Sequence, residues 1–174
     1  PKLDIQIRNV YGKEDTLITI QIDQMLAEKF GMVYTDSDGS KKKPYIIHRT
    51  SIGCYERTLA LLLEKYAGAL PTWLMPTQVK VLPISERQQD RANAVLEQLQ
   101  AAGLRAAADL RSEKIGYRIR EAQLEKTPYM LIIGDKEVEN GTVSVRARKG
   151  EDLGAMSVED FLARILEEIR TKAH

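Results

Sequence analysis

Apolar Leu3, Ile5 and Ile7 alternate with polar neighbours along residues 3–10, and a second alternating run covers residues 16–23, on either side of Tyr11-Gly12-Lys13-Glu14-Asp15. A period of two marks strands with one face buried, so the two runs read as a β-hairpin. In the second run Ile18, Ile20 and Ile22 share one face, and Thr19, Gln21 and Asp23 share the other, because successive side chains of a strand point to opposite sides. The polar face is a candidate pocket wall. Val33-Tyr34-Thr35, the Asp38-Gly39 turn with Lys41 to Lys43, and Pro44-Tyr45-Ile46-Ile47-His48 read as another hairpin. Beyond Gly53 the period becomes helical, with Leu59, Leu62, Leu63 and Tyr66 recurring before a stop at Gly68.

Leu70-Pro71-Thr72-Trp73-Leu74-Met75-Pro76 brackets an aromatic residue with prolines, too rigid for a flexible linker and too broken for helix or strand. A domain boundary is expected there, giving domains over residues 1–75 and 76–174. From Val79 onward the chain alternates strand and helix. Val79 to Ile84 reads as a strand, and Ser85 with Gln88 three residues on is a capping-box start. Ala92, Val95, Leu99 and Ala102 form that helix's apolar stripe, Gly103 ends it, and Leu104 to Leu110 make the next strand. A helix from about Glu113 to Glu125, strands over Pro128 to Ile133 and Thr142 to Arg148, and a Ser157-capped helix carrying Val158, Phe161, Ile165 and Ile169 complete the order. The pattern is a βαβαββα-like α/β domain with a mixed sheet, following an antiparallel α+β segment.

Composition narrows the function classes. The 174 residues are 43% hydrophobic and 29% charged, a globular balance, and no apolar run is long enough to span a bilayer. With 26 basic and 25 acidic residues the net charge is +1, so any contact with nucleic acid must come from a local basic patch. The single cysteine, Cys54, excludes an internal disulfide and suits a reducing cytoplasm. Pro1-Lys2-Leu3-Asp4 enters a strand pattern at once, without a start methionine or signal peptide, and reads as a cut end. Taken singly, His48 and Cys54 are ordinary packed side chains. There is no recognisable Ser/His/Asp order, paired-cysteine motif or glycine-rich phosphate loop.

The ordered string Ile47-His48-Arg49-Thr50-Ser51-Ile52-Gly53-Cys54-Tyr55-Glu56-Arg57 carries more information than any of its members. It resembles motif 3 of the class II aminoacyl-tRNA synthetases. The neighbours Ala67-Gly68-Ala69-Leu70-Pro71-Thr72-Trp73-Leu74, the string Leu110-Arg111-Ser112-Glu113-Lys114-Ile115-Gly116-Tyr117-Arg118-Ile119-Arg120-Glu121-Ala122, and Gly134-Asp135-Lys136-Glu137-Val138-Glu139 are similar to the threonyl-tRNA synthetases, over essentially the whole chain. The resemblance implies the end of a catalytic domain followed by an anticodon-binding domain with a mixed five-stranded sheet. It implies an enzyme of the cytoplasm that activates L-threonine with ATP and Mg2+ and passes it to threonine tRNA, as a homodimer in the full-length form and without a membrane partner.

The same resemblance implies residue roles. Gly53 lets the backbone approach ATP, and the flat cation of Arg57 stacks on the adenine ring. Thr19, Gly53, Cys54 and Arg57 are thereby ATP-binding candidates, and Arg57 and Gln21 catalytic ones. His48 matches one of three protein ligands of a zinc ion that engages the substrate hydroxyl, a device for rejecting valine. Ser112, Glu137 and Arg146 match positions that read splayed-out anticodon bases. Lys114, Arg118 and Arg120, near a helix start, are the phosphate contacts, with Lys126, Lys136, Arg146 and Arg148 adding charge nearby. The chain departs from the family pattern at Thr16, Ile18, Cys54 and Ser112. Motifs 1 and 2, two zinc ligands and the editing domain, all upstream in the family, are outside these residues, so the 174 residues alone are expected to be inactive. The alternative is a stand-alone RNA-binding or accessory protein without ligase activity.

Overall fold

The computed structural model describes residues 1–173 and divides into two compact units, Pro1–Gly68 and Ala69–His174. In the first, β1 (Lys2–Arg8) and β2 (Glu14–Asp23) pair antiparallel. Their turn is closed by Asn9, whose Oδ1 accepts from the amides of Tyr11 and Lys13, each at 3.0 Å. A bulge between Ile5 and Gln6 shifts the register, so that Ile5 faces Ile18 and Gln6 faces Thr16.

The second expected hairpin is smaller than its sequence indicates. Only β3 (Tyr34–Thr35) and β4 (Lys41–Lys42) pair with each other. The next strand, β5 (Ile46–Arg49), instead adds to the free edge of β2, with Ile47 opposite Ile22. Pro44 lies between β4 and β5 and has no N–H for a ladder, which separates the two. A one-turn helix, α1 (Leu26–Lys29), was not expected. It starts where Asp23 Oδ1 accepts from the amides of Met25 at 2.8 Å and Leu26 at 2.9 Å.

Helix α2 (Tyr55–Lys65) comes next, and none of its residues is buried. Leu59 is 52% exposed and Leu63 44%. Among the described residues of this unit the sole buried apolar side chain is Ala27, so its five strands and two helices do not enclose a core.

The second unit does enclose one. Its elements are β6 (Val79–Pro83), α3 (Gln89–Ala101), β7 (Ala106–Ala108), α4 (Ile115–Leu124), β8 (Tyr129–Ile133), α5 (Asp135–Asn140), β9 (Val143–Ala147), β10 (Asp152–Met156) and α6 (Val158–Thr171). The five strands lie in the order β10-β9-β8-β6-β7, parallel across β7, β6 and β8 and antiparallel across β8, β9 and β10. This is the mixed five-stranded sheet of the expectation, with β10 supplying the strand that periodicity did not show. One sheet face packs Val79, Val81, Leu131, Ile133 and Val145 on Val95 and Leu99 of α3 and Phe161 and Ile165 of α6. The other packs Leu82 and Met130 on Ala122 of α4. As read from the sequence, Ser157 caps α6, its Oγ accepting from the Asp160 amide at 3.0 Å.

The proline-bracketed segment packs within this second unit, so the unit begins earlier than the boundary expected at residue 75. Leu70, Thr72 and Met75 are buried. Arg105 donates to the carbonyls of Met75 and Trp73, each at 2.9 Å, and Arg148 to that of Leu70 at 2.8 Å. Tyr129 donates to Glu168 at 2.6 Å. Burial, then that bond, pushes the phenol up to about 12, so it stays protonated through the neutral range.

Candidate functional site

In the first unit the expected pocket residues fall on neighbouring strands. Gln21 lies directly opposite His48 in the β2–β5 ladder, so the two side chains share a face, and Thr19 lies two residues along β2 on that same face. The Thr19 hydroxyl donates to Asp4 Oδ1 at 2.7 Å, a bond that chiefly holds the Asp4 carboxyl below its usual range. Thr50 continues β5, its amide donating to the Thr19 carbonyl at 2.9 Å and its Oγ1 accepting from the Thr19 amide at 3.0 Å.

Gly53 is held where no other residue fits. Its φ is +76°, and a Cβ there would lie 2.6 Å from the carbonyl oxygen of Leu17. The turn thus brings the start of α2 against β2, as a close-approach glycine does. Gly53→Ala is expected to destabilise this unit by at least about 1 kcal/mol through backbone strain, read as a lower urea midpoint. An unchanged midpoint would contradict the packing described. Cys54 is the exposed N-cap of α2, its Sγ accepting from the Arg57 amide at 3.4 Å. Arg57 donates from Nη1 to the Thr16 carbonyl at 3.1 Å, and with Asp15, Leu17 and Ala60 lines a cavity of about 80 Å³. Gly53, Cys54 and Arg57 are therefore gathered at the start of β2, on local backbone.

His48 Nε2 lies 3.6 Å from Asp23 Oδ2. The other Asp23 oxygen is engaged by the Leu26 and Met25 amides, which keep that carboxyl low. No group of three His, Cys, Asp or Glu residues that could hold a metal occurs among the described residues. One imidazole falls short of the three protein ligands a catalytic zinc takes. These residues by themselves do not fit a zinc ion.

In the second unit, the loops after β7 and β8 emerge at one edge, because β6, β7 and β8 run parallel. A crevice of about 500 Å³ opens there, with Ile84, Ser85, Arg87, Ser112 and Lys114 among its walls. Ser112 and Lys114 are exposed, and Lys114 is the N-cap of α4. The crevice lies outside the carboxyl ends of parallel strands, on either side of which the chain turns away in opposite directions, a common ligand position in open α/β sheets. Glu137 stands at the same edge, in the first turn of α5. Its Oε2 accepts from the Gly134 amide at 2.9 Å. Gly134 lies close beneath Ile84: a Cβ there would meet Ile84 Cδ1 at 2.7 Å and push that side chain aside.

Arg146 is on β9 opposite Met130, hence on the α4 face of the sheet. Its Nε is buried without a hydrogen-bond partner among the described residues, an uncompensated donor of the kind that invites a ligand. Arg120 is exposed on α4. Ser112 and Lys114 are thus brought together in the crevice wall, while Arg120 and Arg146 are not among its lining residues.

Arg118, one of the expected phosphate contacts, and Arg148, expected to add charge nearby, are both engaged by main-chain carbonyls in the structure. Arg118 is 3% exposed, and its guanidinium donates to four main-chain carbonyls, those of Asp109, Glu113, Pro83 and Ile84. It is a strut inside the domain and is not available to a phosphate. Arg148, besides Leu70, reaches the Lys126 carbonyl at 3.3 Å, and burial pulls its pKa down. Sequence reasoning overlooked Arg111, which the structure places between two carboxylates.

A three-stranded antiparallel sheet with a glycine-opened helix, and a mixed five-stranded sheet with a crevice at one edge, are the two parts of the chain that find counterparts among known proteins. Residues 1–66 match the tRNA synthetase class II core domain (G, H, P, S and T), and residues 78–168 match the anticodon binding domain. The chain belongs to the class II aminoacyl-tRNA synthetases, as a stretch of their core joined to an anticodon-binding domain. Within that class it is similar to the threonine–tRNA ligase of Clostridium perfringens, 64% identical over 172 residues, and to that of Acetivibrio thermocellus, 53% identical. Each match covers 99% of this chain and 27% of the relative. The RNA binding domain of threonyl-tRNA synthetase from Cryptosporidium parvum Iowa II superposes with a TM-score of 0.83 at 32% identity, over 96% of this chain and 42% of that one. No helix among the described residues is long and apolar enough to cross a membrane.

Proposed function

We propose that the chain is the motif 3 and anticodon-binding part of a threonine–tRNA ligase, an enzyme that activates L-threonine with ATP and Mg2+ and transfers it to threonine tRNA. The observation that carries this is the 64% identity to threonine–tRNA ligases across 99% of the chain. Arg57 and Gly53 hold the adenine end of ATP, with Thr19 and Cys54 beside them, and Gln21 lines the threonine pocket. His48 contributes one imidazole to a zinc ion whose other ligands come from outside residues 1–174.

In the second unit, Lys114 and Arg120 take phosphates while Ser112, Glu137 and Arg146 face anticodon bases. The half-buried Arg146, whose Nε has no hydrogen-bond partner among the described residues, supports this assignment, because an unsatisfied donor gains by turning to meet a base edge. The enzyme acts in the cytoplasm as a homodimer of the longer form.

Threonine-dependent pyrophosphate exchange tests the reading. The 174 residues alone are expected to show none, while a longer polypeptide carrying them exchanges with threonine. In that polypeptide Arg57→Ala raises the KM for ATP about tenfold, between the worth of an exposed and of a desolvated cation–π contact. Exchange by the 174 residues at the rate of the longer polypeptide, or an unmoved KM, would contradict it.

A further inference from the structure

The loop from Asp109 to Lys114 is gripped by α4 from two sides. On the buried side, Arg118 reaches the carbonyls of Asp109 at 2.8 Å and Glu113 at 3.1 Å. On the other, Arg111 lies between Asp109 and Glu121. Its Nε donates to Asp109 Oδ1 at 2.9 Å, and its Nη2 donates to Asp109 Oδ2 at 2.6 Å and also to Glu121 Oε2. The Arg111 amide adds a further bond to Asp109 Oδ1, at 3.2 Å.

Asp109 is itself fixed: it is 8% exposed, and its amide donates to the Val81 carbonyl at 3.0 Å, extending the pairing of β6 and β7. The anchor at the far end, Glu121, is on α4. By charge alone Arg111 would belong with the RNA-facing cations. By geometry it does not. Two carboxylates neutralise its charge, and the fork that would clasp a phosphate is already clasping Asp109.

We propose that Arg111 is a positioning residue for RNA recognition. By bridging the end of β7 to α4, it fixes the loop from which Ser112 and Lys114 face the crevice. The inference rests on the RNA-binding reading above. It differs from a phosphate contact in what it controls. A phosphate contact adds affinity for every RNA and steepens the salt dependence, whereas a loop anchor sets how sharply one base is preferred over another.

Arg111→Lys keeps the charge but cannot bridge bidentately. Two readouts on the 174-residue chain separate the possibilities. The first is amide hydrogen exchange at Ser112, Glu113 and Lys114, without RNA. The second is filter binding of threonine tRNA and an anticodon-swapped control across a salt series. The expected result is exchange about tenfold faster at those three amides with the rest of α4 unchanged, and a preference for threonine tRNA reduced about tenfold, with the salt slope preserved.

Glu121→Gln, which keeps an oxygen acceptor, is expected to leave most of both. Exchange at the three amides equal to the wild type overturns the positioning role. A salt slope reduced by about one phosphate in Arg111→Ala, with equal loss for both RNAs, overturns it in favour of direct contact. If the wild type itself shows no preference between the RNAs while exchange responds as expected, it is the base-reading assignment that fails.

Discussion

Arg118→Ala is expected to lower the stability of the second unit by roughly 3–5 kcal/mol, seen as a fall in the urea midpoint with little change in slope. The wild-type guanidinium satisfies carbonyls from three segments: Pro83 and Ile84 at the end of β6, Asp109 after β7, and Glu113 before α4. Removing it leaves the Asp109 and Pro83 oxygens buried without a strong donor, and each such orphan costs about 1–3 kcal/mol before relaxation. Against a total stability of order 5–15 kcal/mol, such a loss is a large fraction. Arg118→Lys is expected to recover little, because one ammonium cannot span acceptors that a planar fork reaches together. A loss below about 1 kcal/mol for the alanine variant would show that Arg118 is not a strut, and would return it to the phosphate contacts.

The second large effect is on recognition. Arg146→Ala is expected to remove roughly 1–3 kcal/mol of discrimination between threonine tRNA and an anticodon-swapped RNA, while changing stability little. The side chain is half-buried on β9, and its Nε has no partner to lose among the described residues. Its removal therefore orphans nothing in the free protein. Lys114→Ala is the contrasting case. An exposed lysine at the N-cap of α4 is suited to a phosphate, so its loss weakens both RNAs alike and reduces the salt slope by about one contact.

Most of the second unit was legible from its letters because its elements carry strong periods and clear caps. Val95 and Leu99 fall one turn apart on a buried stripe, Ser157 caps a helix whose Phe161 and Ile165 are fully buried, and Gly103 takes a φ of +84° at the end of α3. Strand β10 was missed because it is an edge strand through Gly154, with no apolar alternation to betray it. Helix α5 was missed because six residues give too few turns for a period to appear.

Arg118 was misread for a different reason. As a letter it is a cation among cations, yet it stands three residues after Ile115 and four before Ala122, both packed in the α4 core cluster. A basic residue on the apolar stripe of a helix is a candidate for a buried hydrogen-bonding role, and that spacing was available in the sequence. In the first unit the motif string placed Gly53, Cys54 and Arg57 together, but periodicity in α2 implied a buried face that the structure leaves half open. Helical spacing specifies which residues share a side; it does not supply the surface that covers them.

The central claim is that the second unit reads the anticodon of threonine tRNA, and filter binding tests it most directly: wild type and Arg146→Ala are titrated with threonine tRNA and with an anticodon-swapped control at one salt concentration. The account predicts that the wild type prefers threonine tRNA and that Arg146→Ala loses roughly 1–3 kcal/mol of that preference. Equal weakening of both RNAs by Arg146→Ala would contradict it and leave the domain a general electrostatic grip on RNA.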